Sequence, residues 1–157
     1  MRTRWMFVGL LCAAMSTSAC GVTLRAQEGF ARVDDDHYDR RVASADGVVV
    51  GVRVMRNRPE ASVDFWIRAV DERLRARGYE PDGDPLPTQT SGGMRGVQLR
   101  YVQTVGGRPH RYWATVFVRP GGFLRPSKVY VVEAGGDAET FDRAAPHVQR
   151  TIASLDP

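Results

Sequence analysis

The sequence predicts an α+β domain: an antiparallel sheet of about five or six strands, in the order β-β-α-β-β-β-α, packed with two amphipathic helices. Three observations predict it. Apolar residues alternate with others in short Val- and Tyr-rich runs at 48–55, 96–105, 110–118 and 127–134, which is the period of a strand. Two stretches, 59–78 and 137–155, switch to three- and four-residue apolar steps, the period of a helix. Short turns separate consecutive strand runs, which makes them antiparallel neighbours.

The elements follow in order. YDRRV (38–42) reads as a short strand, and SADG (44–47) carries an Asp-Gly turn signal. In the next run Val48, Val50, Val52 and Val54 share one face and Gly51 and Arg53 the other, completing a hairpin. Within 59–78, Val63, Trp66, Ile67, Val70 and Leu74 make one helical stripe, with Pro59 suited to a first turn and Gly78 to a stop. Asp64 and Arg68, and Asp71 and Arg75, stand four apart and can pair on the solvated face. Residues 79–96 are irregular, and a short strand over Pro87–Thr90 relieves an otherwise long loop. Its GGMRG lacks the Gly-Lys-Ser/Thr ending of a phosphate loop.

Three strands come next. Val97, Leu99 and Tyr101 oppose Gln98, Arg100 and Val102. Tyr112, Ala114, Val116 and Val118 oppose Trp113, Thr115 and Phe117, so this strand is bulky on both faces and expects a cover on each. The loop RPGGFLRP (119–126) sets Phe123 and Leu124 in a turn, a candidate contact surface, before SKVYVVEA (127–134). In the last stretch Asp137 or Thr140 can cap a helix whose stripe is Phe141, Ala145, Val148, Ile152 and Leu155. Pro146 should kink it or start a second segment.

The N-terminus reads differently. Arg2 and Arg4 precede ten apolar residues, MFVGLLCAAM (6–15). That run is too short for a bilayer core, which takes about 20 helical residues, and it suits the apolar region of a secretory signal. Ser18, Ala19, Cys20 and Gly21 resemble a bacterial lipobox, with Thr17 where that family usually has Leu. The resemblance implies a lipoprotein signal peptide over 1–19, cleavage before Cys20 and lipidation of its sulfur, which makes the membrane a partner. Cys12 leaves with the signal, so the mature chain would contain no disulfide. Gly21, standing where Asp would favour inner-membrane retention, implies the outer membrane, facing the periplasm. Residues 20–37, with the acidic VDDDH (33–37), read as a lipidated N-terminus and flexible tether, and 38–157 as the single domain.

SADGVVVGVRV, a helix ending RARGY, then GMRGVQLRYV, RYWATVFV, KVYVVEA and a last helix ending IASL together resemble the PsbP-like fold over about residues 38–155. That fold is shared by photosystem II extrinsic proteins, a yeast Ran-binding transport factor and assorted bacterial lipoproteins. The resemblance implies a non-catalytic module that acts by docking to proteins.

Composition bounds the chemistry. The chain has 157 residues and a formal charge of +4, which loss of Arg2 and Arg4 would lower by two. Such a field is too weak for a nucleic-acid footprint. His37, His110 and His147 are the only imidazoles and show no paired-ligand spacing, so no metal or other cofactor is expected. No GxSxG elbow occurs. Glu133 and Asp137 flank AGG, where paired carboxylates can do acid–base work, but a strand end and a helix cap account for them too. The reading is a non-catalytic envelope lipoprotein that presents its domain to an envelope protein partner. The alternatives are a binder of a small apolar or envelope-derived ligand near Trp66 and Trp113, and a hydrolase. Trp66, Trp113, Phe123 and Leu124 are the candidate contacts.

Overall fold

The strand-forming runs pair into one antiparallel sheet. The computed structural model describes residues 21–157; the expected signal peptide over 1–19 and Cys20 lie outside the described residues. The elements are β1 (Phe30–Arg32), β2 (Arg40–Ser44), β3 (Val49–Arg56), α1 (Val63–Arg75), β4 (Glu80–Pro81), β5 (Leu86–Gln89), β6 (Arg95–Val105), β7 (Arg108–Arg119), β8 (Lys128–Asp137) and α2 (Ala138–Ala153). The sheet order is β1-β2-β3-β8-β7-β6-β4, with β5 also pairing β6. The class is α+β as expected, with eight strands rather than five or six. The extra strands are short: β1 has three residues and β4 two, lengths at which no alternation can be read.

Local chemistry sets the connections. Gly106 and Gly107 form a two-residue turn between β6 and β7 with φ of 58° and 79°, values that favour glycine at both positions. α1 starts one turn later than Pro59, because Ser62 is the residue whose hydroxyl accepts the Phe65 amide at 3.2 Å. Asp137 caps α2, accepting from the Glu139 and Thr140 amides. α2 runs on through Pro146 as one helix. Pro146 and Asp142 are both exposed, so the carbonyl left without a helical N–H can bond water.

The two helices lie on opposite faces of the sheet. Val50, Val52, Trp113, Phe117, Tyr130 and Val132 form one core with Phe141, Val148, Ile152 and Leu155 of the α2 region. Their strand neighbours Val116, Val129 and Val131, with Leu99, Tyr101 and Ala114, meet Trp66, Ile67, Val70 and Leu74 of α1. Period-two alternation sends the two sets to opposite sides. β7, bulky on both faces, is covered on both, as its sequence predicts.

The expected tether is corrected. Val22 is 9% exposed and Leu24 1%, and both belong to the α2-face core. Thr23 and Asp156 exchange backbone hydrogen bonds of 2.8 and 3.1 Å, and the Arg25 amide donates to Ser154 Oγ. β1 pairs with β2 through Phe30, Ala31 and Arg32. The domain therefore starts near residue 22, because two apolar side chains gain more by burial against α2 than by mobility.

Candidate functional site

α1 crosses the sheet over β6 and β7 and leaves the β3 side of its face less covered. A groove of about 170 Å³ opens there. Met55 and Val131 contribute its floor and Trp66 and Val70 its helical wall. Arg73 near the end of α1, Arg77 in the turn after it, and Arg53 from β3 bring three guanidinium groups to it. The α1 members Trp66, Val70 and Arg73 fall on one flank of the helix, and Arg77 follows in the turn after it.

The polar end of the groove is held by an ion pair and a ladder of tyrosines. Glu133 Oε2 accepts from Arg53 Nη2 at 2.5 Å and Oε1 from the Tyr112 hydroxyl at 2.6 Å. The Glu133 side chain is 16% exposed. Burial, then the charge of Glu133, pushes the Tyr112 phenol far up. The Tyr38 ring lies on Gly51, where a Cβ would stand 2.5 Å from Cδ1, and Arg53 stacks 4.9 Å from the ring centroid. Burial raises the Tyr38 phenol too. Tyr79 leans on Tyr112 with centroids 4.8 Å apart and meets Tyr101 edge-on at 6.3 Å. Tyr101 donates to Asp71 Oδ1 at 2.7 Å, and burial with that bond pushes its phenol strongly up. Asp71 also pairs with Arg75 at 2.8 Å, the four-residue pair the sequence predicts.

The candidate residues fall in three places. Trp66 is part of the groove wall; its Nε1–H donates to Asn57 Oδ1 at 2.9 Å. Asn57 is 2% exposed and also bonds Ala61 and Ser127. Trp113 lies on the opposite face, edge-on to Phe141 at 4.9 Å and under the Arg100 guanidinium at 4.7 Å. The two tryptophans do not share a pocket. Phe123 and Leu124 stand out in the β7–β8 loop, 102% and 88% exposed. Glu133 and Asp137 do not form a pair: one serves the groove network and the other caps α2.

In the acidic cluster, Asp35 accepts the His37 amide at 2.8 Å and pairs with Arg41. The amide bond is the leading cause holding its carboxyl below the usual range. Among the described residues no group of three or more His, Cys, Asp or Glu could hold a metal ion. Sequence reasoning missed Arg53 and Tyr38 as a unit with Glu133. The only available signal was Gly51, a residue without a side chain in a Val-rich strand.

No family model matches the chain, and no curated protein matches it. Solved structures do match, LpqN and PA94 among them. LpqN, involved in cell envelope biogenesis of Mycobacterium tuberculosis, is similar with a TM-score of 0.69 at 10% identity, over 87% of this chain and 83% of that one. PA94 of Pseudomonas aeruginosa, a protein of unknown function, is similar with a TM-score of 0.54 at 12% identity, over 87% of this chain and 97% of that one. The likeness is one of fold. No helix among the described residues is long and apolar enough to cross a membrane.

Proposed function

We propose that this is a non-catalytic docking module of the bacterial cell envelope, anchored through Cys20, whose α1-face groove takes an apolar side chain of a protein partner flanked by acidic residues. The observation that carries the reading is the groove itself: an apolar floor bordered by Arg53, Arg73 and Arg77, with one carboxylate, Glu133, already engaged. At about 170 Å³ it is smaller than the roughly 300–1,000 Å³ of small-molecule sites. It suits one anchoring side chain, the usual centre of a protein interface. Arginine attracts carboxylates across such an interface and pairs with them bidentately. The PsbP-like resemblance points the same way. The fold likeness to LpqN, a protein of envelope biogenesis, and the lipobox-like residues support the envelope setting. Gly21 favours the outer membrane, facing the periplasm.

The alternatives have less support. A small ligand shared by Trp66 and Trp113 has no common site, since the two lie on opposite faces. A hydrolase needs a free base, and Glu133 is occupied by Arg53 and Tyr112 while the phenols are held protonated.

Two experiments test the proposal. A photo-crosslinking residue at Met55, 39% exposed in the groove, should yield a discrete adduct in intact cells. The double variant Arg73→Glu/Arg77→Glu should reduce that adduct about tenfold, equivalent to ~1.4 kcal/mol. An adduct that survives the reversal, or that also forms from Arg150 on α2, would refute the groove as the docking site. For the anchor, Cys20→Ser should abolish incorporation of labelled fatty acid; persistent labelling would overturn the lipobox reading.

A further inference from the structure

We propose that the end of the sheet bearing the β7–β8 loop is a second surface, one that seats on an anionic lipid bilayer. Three observations converge on it. First, Phe123 and Leu124 are 102% and 88% exposed, far above the next large apolar residue, Val105 at 50%. The loop is held at its base: the Gly122 amide donates to the Arg125 carbonyl at 2.8 Å, and the Asn57 amide to the Ser127 carbonyl at 3.0 Å. A Cβ on Gly121 would stand 2.9 Å from the Ser127 nitrogen. The two side chains are thus presented to solvent by a built turn.

Second, the same end concentrates cations. Arg56 is the register partner of Lys128, and Lys128 of Arg119. Three cations therefore stand side by side across three strands, an arrangement that like-charge repulsion disfavours unless anions gather there. Arg58 and Arg125 flank the loop, and Glu60 is the one carboxylate in residues 56–60 and 119–128. None of the five cations has a carboxylate partner among the described residues. Apolar tips among basic residues suit the headgroup layer of an anionic membrane, where charge attracts and apolar side chains insert.

Third, the described chain begins at this end. The Ala153 carbonyl at the end of α2 accepts the Ser91 amide, just before β6, and Gly96 of β6 opposes Phe117, two residues from Arg119. Thr23 is bonded to Asp156 beside it, and Val22 is buried. A lipid on Cys20 would leave only one or two residues, about 3.5 Å each, between bilayer and core. This third observation rests on the Cys20 anchor; the first two do not.

The test uses the chain from Gly21 onward, which lacks Cys20 and holds the sheet and both cores. It is co-sedimented with vesicles of phosphatidylglycerol in phosphatidylcholine, and with phosphatidylcholine alone. Binding is expected to the anionic vesicles only and to weaken as salt rises. Phe123→Ser/Leu124→Ser should lower it at least about tenfold. Arg56→Ser/Arg125→Ser removes two of the five cations and should weaken binding and lower its salt dependence by roughly two-fifths, and both variants should keep the parent's melting temperature. Equal binding to neutral vesicles, no binding by the folded domain, or full binding by either double variant would overturn the proposal. Failure here leaves fatty-acid labelling of Cys20 unaffected, and failure of labelling leaves vesicle binding unaffected.

Discussion

Replacing Leu24 with alanine is expected to lower the unfolding free energy by about 2–5 kcal/mol, the range for a large buried aliphatic truncated to a methyl. Leu24 is 1% exposed and shares the α2-face core with Val22, Val148, Ile152 and Leu155. Its position is fixed by the exchange of backbone bonds between Thr23 and Asp156. The core around it is closed by strands on one side and α2 on the other, so little can collapse into the space. The measurement is a denaturant midpoint at constant slope. Ala26, exposed two residues later, supplies a surface control in the form Ala26→Ser. A Leu24→Ala change within about 0.5 kcal/mol, the scatter of surface substitutions, would return the segment to the status of a tether.

The second large effect is alkaline. Tyr38, Tyr101 and Tyr112 all have phenol pKa values raised by burial, with Asp71 or Glu133 acting in the same direction. A raised folded-state value means that the folded domain keeps its phenolic protons where the unfolded chain loses them. The contribution is fully present below pH ~10, the unfolded tyrosine value, and falls as pH rises above it. The loss is about 1.4 kcal/mol per pH unit for each phenol that stays protonated. Tyr101, 1% exposed, and Tyr112, tied to a largely buried carboxylate, should hold their protons longest. Denaturant midpoints should be flat up to about pH 9 and fall steeply above about pH 10. Tyr112→Phe should make that decline shallower by one phenol's share. Phenolate absorbance near pH ~10 in the still-folded domain that Tyr101→Phe or Tyr112→Phe diminishes would contradict the account.

Much of this was legible from residues alone. The alternation through Tyr112–Val118 assigned both faces of β7 before any neighbour was known. The α1 stripe meets the sheet as written, and Asp137 caps α2. The misses have a common cause. Val22 and Leu24 are two apolar residues in a polar stretch, too few to show a period, yet the C-terminal turn of α2 holds them. β4 is two residues long and becomes a strand only because β6 offers an edge to pair with. At the groove, Arg53 and Glu133 are 80 residues apart, and no local signal relates them.

The sequence by itself determined the longer strands, the two helical stripes, the Asp137 cap and the β6–β7 turn, because each depends on backbone sterics and on side-chain spacing within a few residues. Only the tertiary structure decided which helix covers which face and that Trp66 and Trp113 stand apart. It also decided that Arg53, Tyr112 and Glu133 meet, and that the first described residues share an end of the sheet with Phe123 and Leu124. Those outcomes depend on strand register and on the burial of surfaces far apart in the chain, where a shift of one residue exchanges the two faces of a strand.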